Sequence, residues 1–282
     1  MEWTNTHGLP DPLASAIKND PYAAAGDISV TGLLRPPRMR VLEKTYQGQI
    51  TEDVADHIWR LLGQSVHTIL ERANTDHHLA EERLVVEVLG WKISGKPDLL
   101  SEDGTLSDYK VTSVFSFLLG EKPEWEAQLN IYAWMYRRYG FAVKKAQIVA
   151  ILRDWTSSRQ KESDYPPCGV LVVDVPLWED AQVEMFVQER VLLHQQAEKR
   201  GLQDLAECTP EERWARPDTW AVKKPGAKRA TRVFDNPAAA QALAQENGQE
   251  IEHRPGGNIR CERFCVVARW CGQYQKIQKE AA

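Results

Sequence analysis

The sequence has no run of about 20 apolar residues, the length that carries a helix across a bilayer, so no membrane partner is expected. Its opening stretch, MEWTNTHGLPDP, has neither a basic segment nor an apolar core, so no secretory signal is read and a cytoplasmic protein is expected. An excess of positive charge is also missing. The chain has 35 Lys and Arg against 40 Asp and Glu, a formal charge of −5. That argues against a coat protein that holds nucleic acid by overall charge. It leaves room for an enzyme with one local groove, because salt confines each charge's reach to about 8–10 Å. Glycine (17) and proline (15) are modest in 282 residues and show no period, which excludes collagen-like and low-complexity chains. Cysteine is scarce and odd in number: five residues, of which Cys261, Cys265 and Cys271 lie close together. Without a sign of secretion, metal binding competes with disulfides as their explanation.

What is present describes a globular protein. Hydrophobic residues make up 43% and charged ones 27%, too apolar for a disordered chain. The length fits one mixed α/β core of about 200 residues plus a smaller appendage. Apolar residues recur at helical spacing over 51–72 (Val54, Ile58, Leu61, Leu62, Val66, Ile69, Leu70). The β-branched run 83–89 reads as a strand. Residues 91–100 and 106–111 read as a hairpin around Asp103 and Gly104. An amphipathic helix over 125–139, strands over 147–152 and 170–175, and a helix over 178–200 follow. After Gly201 the elements shorten to strand 219–222, a basic turn, strand 232–234, helix 237–245 and strand 250–253. The expected organisation is a core over 1–200, a small basic ββαβ appendage over 201–255, and a cysteine-containing segment over 256–282 that packs back on the core.

The hairpin carries the chemistry. Asp108 and Lys110 are two apart on a strand and share a face. A turn centred on Asp103 pairs residues whose numbers add to 206, which sets Asp98 opposite Asp108. Cross-strand partners have Cβ atoms only about 4.5–5.5 Å apart, and like charges placed so destabilise a hairpin. A divalent ion between them removes the conflict, and hard Mg²⁺ or Mn²⁺ suits carboxylate and carbonyl oxygens. The Tyr109 carbonyl is a further candidate ligand. Lys110 can orient or deprotonate a water, or offset phosphate charge. A metal-bound water is a stronger nucleophile at neutral pH, and this set is suited to phosphodiester hydrolysis.

Three more features stand at a distance. Gly63, His67 and Glu71 share a helix face, with His67 a candidate metal ligand and Gly63 expected to allow close backbone approach. Gln128 and Tyr132 share another face and can hold a phosphate or stack on a base. Glu87 sits among apolar strand residues, either on an exposed face or near the metal. Basic residues cluster at Arg35, Arg38 and Arg40, and again at Lys223, Lys224, Lys228, Arg229 and Arg232. The second cluster, with Trp214 and Trp220, is a candidate grip on a DNA backbone. Taken one at a time, each of these is more often a packing or solvated residue.

The ordered set resembles the RecB-like, phage-type exonuclease branch of the PD-(D/E)XK nuclease superfamily over roughly residues 28–175. The motifs are Gly63 with His67, then Gly95-Lys96-Pro97-Asp98, then Asp108-Tyr109-Lys110, then Gln128 with Tyr132. The resemblance implies a central mixed β-sheet flanked by helices. It implies that His67, Asp98 and Asp108 bind one or two metal ions, that Lys110 serves catalysis, and that Gln128 and Tyr132 contact DNA or brace the site. It further implies a DNA exonuclease of recombination, repair or phage DNA metabolism. Linear or single-stranded DNA would be its partner, alongside a recombination or replication protein. A catalytically silent DNA-binding partner and a restriction-type endonuclease are the alternatives. Some members carry a four-cysteine iron–sulfur cluster whose first ligand lies in a Cys-Pro-Arg run. Here that run is Pro36-Pro37-Arg38, so the first cysteine is absent. Cys208 is then the candidate fourth thiolate beside Cys261, Cys265 and Cys271, for Zn²⁺ or an iron–sulfur cluster. Isolated Cys168 is read as structural.

Overall fold

The computed structural model describes residues 2–19, 25–73, 78–118 and 123–281. The first part of the chain runs β1 (Glu2–Thr4), α1 (Asp11–Lys18), β2 (Ile28–Ser29), α2 (Val30–Leu34), α3 (Pro37–Tyr46), β3 (Thr51–Asp53) and α4 (Ile58–Arg72). It continues with β4 (His78–Ala80), β5 (Leu84–Val88), β6 (Trp91–Gly95), β7 (Leu99–Ser101) and β8 (Thr105–Thr112). Then come α5 (Val114–Leu118), α6 (Pro123–Arg138), β9 (Lys145–Leu152), β10 (Val170–Val175) and α7 (Asp180–Glu198). The last part holds β11 (Ala215–Arg216), β12 (Thr219–Lys223), β13 (Arg232–Phe234), α8 (Pro237–Asn247), β14 (Glu250–Arg254), β15 (Gly257–Asn258), α9 (Ile259–Arg263) and α10 (Gly272–Ala281). Among the described residues, no helix is long and apolar enough to cross a membrane.

Two compact units result: Met1–Pro37 with Gln47–Lys199, and Arg38–Tyr46 with Arg200–Ala282. The first is mixed α/β. Its main sheet has the order β10-β9-β8-β7-β4, with β8 and β9 parallel and the other neighbours antiparallel. A smaller sheet, β2-β6-β5, lies in the same unit. Helix α6 belongs to the centre of the core. Leu129, Ile131, Ala133, Trp134, Met135 and Tyr136 are all buried, so a helix that reads as amphipathic is covered nearly all round.

Two expected elements differ. The stretch 91–100 is not one strand: β6 pairs with β5 and β2, while β7 pairs with β8 and β4. Pro97 has no N–H for a ladder and restricts Lys96 before it, so the strand breaks there. The helix expected from residue 51 starts at Ile58, because β3 pairs with β1 and Asp53 caps the short 3₁₀ turn that follows, accepting from Ala55 N–H at 3.0 Å.

The second unit contains the ββαβ module, with β12 central between β13 and β14. Helix α8 packs Ala240 and Ala244 against Val222. Asn236 caps its start, accepting from Ala238 N–H at 2.8 Å, and Gly248 closes it with a left-handed φ of 59°. The C-terminal segment and the 38–46 helix complete this unit.

Candidate functional site

The centre of the site is Asp98, at the break between β6 and β7. Register explains its neighbours. Leu99 pairs with Ser107 and Leu100 with Leu106, and one step further Asp98 stands opposite Asp108. On the other side Ala80 pairs with Leu99, and one step further Glu81 stands opposite Asp98, its N–H donating to the Asp98 carbonyl at 3.2 Å. Three adjacent strands thus place three acids in a row. Glu81 is the residue that sequence reasoning missed. It has a left-handed φ of 55°, a strained backbone for a side chain of this size.

The structure gathers His67, Glu81 and Asp98. His67 Nδ1 lies 3.2 Å from Asp98 Oδ1 and 3.4 Å from Glu81 Oε1. Among the described residues, these form the only trio of metal-capable donor atoms all within 4.8 Å of one another. Hydrogen bonding to Asp98, then to Glu81, pushes the His67 imidazole up to about 10. Burial alone would raise Glu81, but the hydrogen bonds from His67 and from Lys96, at 2.6 Å, outweigh it and hold the carboxyl low. Asp98 Oδ2 accepts from the Tyr109 N–H at 2.7 Å. An imidazole and two carboxylates at this spacing fit a hard divalent ion. Leu70, Glu71, His78 and the Tyr109 side chain help line the open cleft around the trio.

Asp108 is not in that trio. It is 2% exposed and turns to Lys110, whose Nζ is 2.7 Å from Oδ2. This is a charge contact without hydrogen-bond geometry, so that buried oxygen has no aligned donor. Burial pushes the Asp108 carboxyl up, Lys110 pulls it down, and nearby Asp98 pushes it up again. Lys110 donates to Gln128 Oε1 at 3.0 Å, and Gln128 Nε2 donates to the Tyr132 hydroxyl at 3.1 Å. The four expected residues therefore form one chain, Asp108–Lys110–Gln128–Tyr132, ending in the core. Of the metal set expected as His67, Asp98, Asp108 and Tyr109, the structure brings His67 and Asp98 together with Glu81, while the Asp108 carboxylate lies against Lys110.

Other expectations sort cleanly. Gly95 is required by packing, since a Cβ there would meet Tyr132 Cε1 at 2.8 Å. Gly63 is not, because a Cβ there meets open space. Glu87 is exposed and pairs with Lys92 across the ladder. Cys168 is exposed, its thiol on the Val170 carbonyl at 2.8 Å.

Within the second unit, Cys208, Cys261, Cys265 and Cys271 line one small cavity. Arg38 reaches the same place, donating from Nε to Cys271 Sγ at 3.3 Å and from Nη1 to the Leu205 carbonyl at 2.7 Å. Burial pushes the Cys208 thiol up to about 12 and the Cys265 thiol up to about 11. No three of these sulfurs lie within 4.8 Å of one another. A tetrahedral zinc with bonds of about 2.3 Å needs sulfurs roughly 3.8 Å apart, so this arrangement is too wide for it as it stands. In the basic turn Lys223 pairs with Glu252 at 2.8 Å, while Lys224, Lys228, Arg229 and Arg232 are exposed. Trp220 stacks on His253, and Arg260 lies 4.1 Å over the Trp214 ring.

Comparison with known proteins adds the following. A family described as "Uncharacterized protein conserved in bacteria (DUF2188)" matches residues 212–263, a range that contains the ββαβ module. The chain is similar to the crystal structure of SSO0001, with 18% identity and a TM-score of 0.46 over 64% of this chain and 83% of that one. It is also similar to a phage-related exonuclease from Haemophilus somnus 129PT, with 14% identity and a TM-score of 0.29 over 67% of this chain and 82% of that one. No curated protein matches it.

Proposed function

We propose that the protein is a divalent-metal-dependent DNA nuclease of the PD-(D/E)XK, RecB-like kind, acting as an exonuclease. The observation that carries this reading is the trio His67, Glu81 and Asp98 beside the chain from Asp108 to Tyr132. Bound Mg²⁺ or Mn²⁺ would lower the pKa of a water and polarise the phosphate. The remaining work belongs to the chain's own residues. His67, Glu81 and Asp98 would hold the ion, and Lys96 steadies Glu81. Lys110 is fixed between Asp108 and Gln128, so its ammonium is available to neutralise charge growing on a phosphate oxygen. Tyr132 braces Gln128 from the core, which keeps Lys110 from swinging away.

For the cysteines we propose an iron–sulfur cluster held by Cys208, Cys261, Cys265 and Cys271. Four thiols around one cavity supply the donor set, and their spread suits a multi-iron cluster better than a single zinc. It would tie the segments of the second unit together, and it takes no part in the hydrolysis.

End-labelled linear DNA and closed circular DNA, each with and without Mn²⁺, test the nuclease reading. Linear DNA should be degraded only with the ion, and the circle should resist. Asp98→Asn and Lys110→Ala should each slow cleavage by at least about a hundredfold while the fold is kept. Cleavage of the circle would favour an endonuclease. A wild-type protein that binds DNA without cutting it would leave the silent DNA-binding alternative.

A further inference from the structure

Helix α4, which carries His67, is unusual for its length: none of its 15 residues is fully buried. It packs against α1 and β8. It exposes Trp59, Leu62 and Ile69, with Trp59 55% exposed. Arg153 lies over the Trp59 ring, 4.5 Å from its centroid. Among the described residues Arg153 has no carboxylate partner, so its charge is uncompensated. The position of this pair is fixed by the strand that carries the site. Arg153 N–H donates to the Thr112 carbonyl at the end of β8, two residues beyond Lys110. The next helix starts at the same corner, where Val114 N–H donates to Asp154 Oδ1 at 2.7 Å, and its Phe115 is 64% exposed.

An exposed indole backed by a free guanidinium is costly on a surface that faces only water, since it leaves a large apolar area wet. It suits a nucleobase, which stacks on the indole while its phosphate meets the cation. Trp59 is eight residues from His67 on α4, about 12 Å along the axis at 1.5 Å per residue. That is about the length of three or four stacked nucleotides. We propose that Trp59 and Arg153 form a stacking platform for a base of single-stranded DNA, a few nucleotides from the phosphate under attack. The proposal deepens the nuclease reading by naming its substrate as a single-stranded segment, and it rests on that reading for the position of the attacked phosphate.

Binding measurements with a fluorescent oligo(dT), and with a blunt duplex of the same length, in Ca²⁺ provide the test. Trp59→Ala should weaken oligo(dT) binding by about ten- to a hundredfold, more than it weakens the duplex. Trp59→Phe should keep most of the affinity, because the π-face is retained. Arg153→Ala should lower the slope of log K against log salt by about 0.7. Calorimetric Mn²⁺ binding by each variant confirms that the fold and the trio persist. Equal oligo(dT) affinity in Trp59→Ala and wild type overturns the platform, as does an equal loss on the duplex. Failure of wild type to cut DNA in Mn²⁺ overturns the nuclease reading instead, and is scored separately from stacking.

Discussion

At the scale of single residues, the site sets one imidazole between two carboxylates. His67 sits between Asp98 and Glu81, and both favour its protonated form. This contact stabilises the metal-free fold fully below the ordinary imidazole value of 6.5, and the stabilisation is lost as pH rises through about 10. An ion needs the neutral imidazole, so each ion bound releases a proton. Mn²⁺ affinity should therefore climb about tenfold per pH unit between pH 6.5 and 8.5, measured by calorimetry in buffers of different ionisation enthalpy. His67→Gln should flatten that slope. The residues differed in how readable they were. Asp98, Asp108 and Lys110 follow from turn chemistry and register, since a two-residue period leaves no freedom once the turn is placed. Glu81 obeys the same arithmetic on the opposite edge of β7. It was hidden because β4 has only three residues and Glu81 leaves it in a left-handed conformation no pattern announces.

At the scale of elements, long periodic segments were legible and their junctions were not. Strand β10 and helix α7 fall where β-branched runs and helical spacing put them. The break at Pro97 was written in the sequence, but apolar content on both sides masked it. The consequence is large, because that break puts Asp98 on a connector shared by two sheets. The small module was the most legible part: short strands, a polar turn and an alanine-rich helix with an asparagine before Pro237. Its capping makes a clear prediction. Asn236→Ala should lower stability by about 1 kcal/mol in a denaturant titration, because two N–H groups at the start of α8 lose their acceptor. Asn236→Asp should restore most of it.

At the scale of the whole molecule, the two compact units divide between Lys199 and Arg200. The membership of 38–46 in the second unit was not legible, since sequence distance conceals which helix closes a cavity. Cys208 was found by counting thiols, and its place beside the other three depends on packing alone. The cysteine proposal predicts that protein purified without oxygen is brown, with iron and acid-labile sulfide in about equal amounts. Cys271→Ser should lose that absorption and loosen the second unit in hydrogen exchange, with Mn²⁺ binding at the trio unchanged. A colourless wild type holding one zinc per chain would replace the cluster with a single ion.

The helix at Pro37–Tyr46 also sets a timetable for synthesis. It emerges about 160 residues before the segment it belongs with, an interval on the order of 10–30 s at ordinary elongation speeds. Until then Met39 and Leu42, buried in the finished protein, stay uncovered. A nascent chain in that interval exposes apolar surface that the finished fold covers. A shortened version ending at Lys199 would keep that surface exposed permanently unless those two side chains were made polar.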